Sequence, residues 1–188
     1  MNIVLKTAGG HYLVRPDTTL ERNSGDLYLP EDVSSISYTP VLFARICKSG
    51  KAVEAAFASR YYDCVGYGIL IYPDDYDDGS PEGFAAASCL DHTSYLTSPL
   101  YQSVVLGHKD NFFKLSLDGR EIYSTSCGTT GMIEQALVGA TRRIYIRGGD
   151  IIAAELAPRK ELCRRPCGQA LVEASYCGNY LMEFKIIF

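Results

Sequence analysis

Apolar and polar residues alternate along much of this chain, and a period of two is the mark of half-buried β-strands. Asn2–Lys6 and His11–Arg15 read as strands joined through Ala8-Gly9-Gly10 as a short hairpin. Residues 16–40 carry Pro, Asp, Ser and Asn with little periodicity and read as a long loop. Val41–Ile46 is a strand, and the Ala-rich Lys51–Ser59 a short helix. Cys64–Tyr72 mixes small, β-branched and aromatic residues, as in a strand covered on both faces. Gly83–Leu90 reads as a second small-residue strand, and Tyr101–Leu106 and Phe112–Leu117 as further strands. Asp118-Gly119, set between Lys114–Leu117 and Glu121–Tyr123, is the strongest hairpin signal. Met132, Ile133, Ala136, Leu137 and Ala140 mark one face of a helix over Met132–Ala140, with Thr130 as its N-cap. Arg143–Arg147 and Asp150–Leu156 flank a Gly148-Gly149 turn, and Gln169–Ala174 and Tyr180–Ile187 close the set. Many strands, Gly-rich turns and one or two helices predict an α+β, mainly β roll.

Composition narrows this. At 188 residues, 47% hydrophobic and 21% charged, the chain suits one domain spanning 1–188 with its own core. A net charge of −4 argues against a nucleic-acid partner, which wants a basic stripe. Arg142, Arg143, Arg147, Arg159, Lys160, Arg164 and Arg165 read as solvated loop charges. No apolar stretch has the length of a membrane span, and the run at Ile3–Leu5 is too short for a leader. The odd count of seven cysteines fits free thiols in a reducing, cytoplasmic setting.

Candidate chemistry is sparse. Cys163 and Cys167, with Cys177 beyond, lack the second ligand pair of a zinc site. The acidic turn Asp74–Asp78 lacks the order of a calcium loop. Gly9-Gly10 and Gly148-Gly149 open no phosphate-cradling helix. Cys89, Asp91, His92 and Ser94 are too close in sequence to converge as a triad, because neighbours on a strand face opposite ways. The carboxylates of Asp63 and Asp91 are more informative. Each borders a small-residue apolar run, where a buried charge is costly unless paired or metal-bound.

Several segments resemble the fumarylacetoacetate hydrolase family. Gly149-Asp150-Ile151-Ile152 is similar to the family's late "GDVI" strand entry. Leu117–Tyr123, followed by the helix at Met132–Ala140, is similar to its "vNGe" hairpin and helix. Pro40-Val41-Leu42-Phe43 resembles the strand before its substrate pocket. The resemblance covers residues 40–188, leaving 1–40 as an N-terminal hairpin and loop. It implies the mixed β-roll of the family's C-terminal domain, a homodimer, and cleavage, decarboxylation or isomerisation of acylpyruvate-like small molecules with Mg²⁺ or Mn²⁺. The cation would polarise the substrate carbonyl and stabilise enolate charge.

The family's Glu-x-Glu…Asp ligand pattern falls here on Asp63, Val65 and Asp91, so the resemblance leaves Asp63 and Asp91 as the metal ligands. Val65 cannot ligate. His92 would then move a proton, and Arg45, Lys48 and Arg60 would anchor a substrate carboxylate. The family's Gly-Thr-Pro is replaced by Glu155-Leu156-Ala157, and neither its Lys segment nor its His-Glu dyad has a counterpart. The scaffold features are kept and the chemical groups are thinned. The alternative reading is therefore a non-catalytic binding or scaffolding protein on the same roll.

Overall fold

A computed structural model gives the fold and describes residues 1–96 and 98–188. Its longest strands are β5 (Ser35–Ile46) and β6 (Tyr62–Pro73), paired antiparallel along nearly their whole length. Both are buried almost throughout, because each face of the sheet they centre is covered. The other strands are β1 (Asn2–Lys6), β2 (Tyr12–Pro16), β3 (Leu20–Glu21), β4 (Leu27–Tyr28), β7 (Ser94–Tyr95), β8 (Phe113–Leu117), β9 (Arg120–Thr125), β10 (Ile151–Glu155), β11 (Lys160–Arg164), β12 (Gln169–Tyr176) and β13 (Asn179–Ile187). Among the described residues two α-helices complete the set, α1 (Pro81–Ala87) and α2 (Thr130–Thr141).

The first sheet runs β2-β1-β10-β5-β6-β7-β3, and β11 pairs with the first part of β5. Pro40 stands where β5 exchanges β11 for β10 as partner, so its missing N–H disturbs neither ladder. β2 and β3 lie at opposite edges yet are joined only by a 3₁₀ turn over Asp17–Thr19. That short link curls the sheet into a roll. Arg15 of β2 reaches across to the Ile71 carbonyl at 3.1 Å and to Thr93 Oγ1 at 2.6 Å, and Thr19 meets Ser94 at 2.9 Å.

The roll has two differently filled faces. Its outer face, with Ile36, Leu42, Ala44, Val65, Tyr67 and Ile69, packs against α2 and a second sheet ordered β4-β13-β12-β8-β9. Stacked rings tie the two layers, Tyr67 on Phe113 at 4.9 Å and Tyr95 on Phe184 at 3.6 Å. Its inner face, with Ile3, Leu5, Val41, Phe43, Leu70 and Tyr72, forms a separate apolar cluster inside the curl.

The mainly β roll holds, as do the hairpin at Asp118-Gly119, where both residues take positive φ, and the helix around Met132–Ala140. Five local expectations change. Gly83–Leu90 forms no strand: Ser80 Oγ accepts from the Gly83 N–H, Pro81 starts the first turn, and the alanines favour the helix α1. Arg143–Arg147 forms no strand either, because the amides of Arg143 and Ile144 both bond Ala140 O as α2 ends, and only Ile146 bridges Gly50. Tyr101–Leu106 reduces to a bridge from Tyr101 to Val65 and a 3₁₀ turn, and Lys51–Ser59 to a 3₁₀ turn over Ala55–Arg60. Residues 16–40 contribute β3, β4 and the start of β5 rather than a bare loop.

Candidate active-site cleft

The chemistry expected of this chain centres on β6, so the facing of its side chains decides what can converge. Val65, Tyr67, Ile69 and Ile71 point to the outer face and its core. Cys64, Gly66, Gly68, Leu70 and Tyr72 alternate with them and point into the roll. Position 65 is thus aimed at the core between the sheets, whereas the irregularity between Cys64 and Tyr62 leaves Asp63 half-exposed beside Arg45. The positions that look into the roll are one residue along, at Cys64 and Gly66.

Asp63 and Asp91 do not meet. Asp63 sits at the start of β6, half-exposed, and bonds Arg45 through two contacts, 2.7 Å to Nη2 and 3.2 Å to Nε. The Arg45 guanidinium holds the Asp63 carboxyl below its usual range. Asp91 lies in an exposed turn two residues before Thr93, whose carbonyl accepts from the Ile71 amide near the far end of β6. From Asp63 to Ile71 the strand runs roughly 25 Å, at about 3.3 Å per residue. One cation cannot bridge the two carboxylates over that length.

The remaining expected site residues are also dispersed. His92 Nδ1 lies 3.0 Å from Glu21 Oε2, at the Asp91 end. Lys48 stands over the Tyr61 ring at 5.2 Å and Arg60 over Phe57 at 5.1 Å, both in the segment between β5 and β6. Arg45 alone lines a cleft. That cleft, of about 290 Å³, opens beside Arg22, Phe43, Leu96, Ser98 and Leu100.

The cleft's donors do not suit Mg²⁺ or Mn²⁺. Such ions take oxygen ligands, several of them carboxylates. Here the floor is Phe43 with leucines, and Asp63 is already engaged by Arg45. Burial, with a contact to Asp63, pushes the Cys64 thiol up to about 11, so it stands protonated at neutral pH. Among the described residues, no three His, Cys, Asp or Glu side chains come together as a metal site. The acidic turn likewise has another task. Asp75 accepts from the Ser34 and Ser35 amides and the Ser34 hydroxyl, and Asp74 from the Ser35 and Ser37 hydroxyls, fastening the start of β5.

No family model matches the sequence, and no curated protein matches it. Solved structures do. A Yersinia pestis CO92 protein assigned to the fumarylacetoacetate hydrolase family superposes with a TM-score of 0.78 at 14% identity, over 99% of this chain and 92% of that one. The fold is that of the fumarylacetoacetate hydrolase proteins. Fumarylpyruvate hydrolase from Pseudomonas aeruginosa, solved with Mn²⁺ and pyruvate, gives 0.77 at 14% over 100% and 90%. A 2-hydroxyhepta-2,4-diene-1,7-dioate isomerase from Mycobacterium marinum gives 0.80 at 15% over 99% and 74%. Proteins of the fumarylacetoacetate hydrolase fold thus include hydrolases and isomerases, one of them bound to Mn²⁺ and pyruvate, while this chain shares about one residue in seven with them.

Proposed function

We propose that this protein is a non-catalytic binding protein built on the fumarylacetoacetate hydrolase fold. The observation that carries the reading is the lining of the cleft inside the roll, hydrocarbon and guanidinium rather than oxygen donors. Where an ion and its ligands would need space opposite β6, Phe43, Leu96 and Leu100 pack over Gly66 and Gly68, and the nearby carboxylate is neutralised by Arg45. A Lewis-acid step needs oxygen donors fixed around the ion. The cleft offers guanidinium and hydrocarbon instead.

Metal-dependent acylpyruvate cleavage is the competing reading, favoured by the likeness to a fumarylpyruvate hydrolase. A turnover assay separates them. Fumarylpyruvate or acetylpyruvate is offered to the protein with Mn²⁺ or Mg²⁺, and release of pyruvate is followed. The binding reading expects no release above the buffer rate. Release that saturates with substrate and falls in Asp63→Ala would overturn it in favour of the hydrolase.

A further inference from the structure

A larger cavity, of about 730 Å³, opens at the other end of the roll. Its walls come from three places: the β1–β2 turn with Ala8, Tyr12 and Leu13, the start of α1 with Pro81 and Phe84, and the segment after β10 with Glu155, Pro158 and Arg159. The volume lies inside the range of about 300–1,000 Å³ typical of small-molecule sites, whereas the Arg45 cleft falls at its lower edge. Apolar surface dominates the lining, with a few polar groups among it.

Those polar groups are held in place. The Arg159 guanidinium lies over the Tyr72 ring at 4.1 Å and the Phe84 ring at 5.0 Å, and its Nη1 donates to Asp77 at 2.7 Å. Its other N–H groups have no partner among the described residues. A guanidinium fixed on two rings with donors to spare is prepared for a planar anionic group. Glu155 gives one oxygen to the Ala8 amide at 2.7 Å and leaves the other free.

Behind Tyr72 stands Arg15, fully buried, its guanidinium 4.7 Å from the same ring. Its Nε and Nη1, and the Tyr72 hydroxyl, make no hydrogen bond among the described residues. No carboxylate bonds Arg15, so it adds a positive field under the cavity floor. Burial raises the Glu155 carboxyl above its ordinary range, against the pull of Arg159 and Arg15, so this side chain repels an incoming anion less than a free glutamate would. Asp77 offsets one of the two guanidiniums and an ionised Glu155 the other, so the hold on a carboxylate rests on the free N–H groups of Arg159.

We propose that this cavity binds an aryl monocarboxylic acid, its carboxylate on the free N–H groups of Arg159 and its ring between Phe84 and the β1–β2 turn. The site deepens the binding reading above, and its failure can be told apart from the failure of that reading.

The test is calorimetric titration of the whole chain with phenylacetate and indole-3-acetate, each beside its uncharged amide, in wild type, Arg159→Gln, Ala8→Trp and Arg45→Gln. Ala8→Trp removes no polar group and fills the cavity mouth, so it decides the matter should Arg159→Gln fail to fold. The expected result is saturable binding of an acid, weaker by about tenfold or more for its amide, for Arg159→Gln and for Ala8→Trp, and unchanged in Arg45→Gln. Equal binding of acid and amide, survival of binding in Ala8→Trp, or no binding of either acid at about 10 mM overturns the site. Binding lost only in Arg45→Gln overturns it too, while leaving the binding reading standing at the other cleft.

Discussion

Phe43 Cζ stands 2.6 Å from the point a β-carbon on Gly66 would occupy, so opposite Phe43 the inner face of β6 has no room for a side chain. Leu100 closes the same point from another side at 3.0 Å. Gly66→Ala is therefore expected to destabilise the fold by about 1–3 kcal/mol through overpacking. Combining it with Phe43→Leu should cost less than the sum of the two single changes, since the smaller side chain vacates the contested space. Urea unfolding of the four proteins measures this. Strict additivity would mean that Phe43 and Gly66 do not compete for one volume.

Asp63 and Arg45 form a close pair, but each side chain is about half exposed, at 41% and 53%. Solvent screening keeps such pairs to roughly 0–1 kcal/mol, so Asp63→Asn should change stability by no more than that near neutral pH. Arg45 lowers the Asp63 pKa on folding. Its small contribution is therefore present above the unfolded-state pKa and fades as pH falls through the folded one. Denaturant midpoints of wild type and Asp63→Asn should converge on acidification. A gap that widens toward acid would contradict the pairing.

Much of the fold was legible in the sequence because it rests on local signals. A run of small, β-branched and aromatic residues marked β6, Asp118-Gly119 marked the β8–β9 turn, and a one-sided apolar stripe marked α2. Gly83–Leu90 misled because small apolar residues suit a strand or a helix equally, and the cap at Ser80 tipped the balance. The site was far less legible. The resemblance placed the ligand pattern on 63 and 65, but Val65 faces the core between the sheets while Asp63 stands half-exposed beside Arg45. The register that settles it includes an irregularity between Arg45 and Ile46, where β6 passes from Cys64 to Tyr62, and no local pattern announces that. Arg15, Tyr72 and Arg159 come together only through the curl of the sheet, so the cavity that Arg159 lines left no mark in any one segment.

Arg15 is a buried cation with two nitrogens lacking acceptors, and each unmade bond carries a desolvation cost. Arg15→Met, which keeps the volume and removes the charge, is expected to cost at most about 1 kcal/mol. Arg15→Ala leaves a cavity and should cost about 3 kcal/mol. Thermal and urea unfolding rank the two. A methionine variant as damaged as the alanine variant would show that the charge itself holds β2 against β6.

Glu155 gives a pH dependence of the opposite sense to Asp63. Burial raises its carboxyl above the ordinary 4.5, so folding favours its protonated form. Its contribution is full below the unfolded-state pKa and is lost as pH rises through the folded one. Glu155→Gln stays neutral and keeps an acceptor for the Ala8 amide. Relative to wild type, the variant should gain stability as pH rises above the unfolded-state value of the glutamate. Urea midpoints across that rise read the trend, and a relative loss would contradict it.

The proposed binding reading differs from the metal-dependent one in expecting no catalytic cation, and calorimetric titration of metal-stripped protein with Mn²⁺ and Mg²⁺ tests this, beside Asp63→Ala and Asp91→Ala. The lining of the cleft predicts no saturable heat up to millimolar ion in any of the three proteins. Saturable binding that disappears in Asp63→Ala would contradict it and restore an active-site metal beside β6.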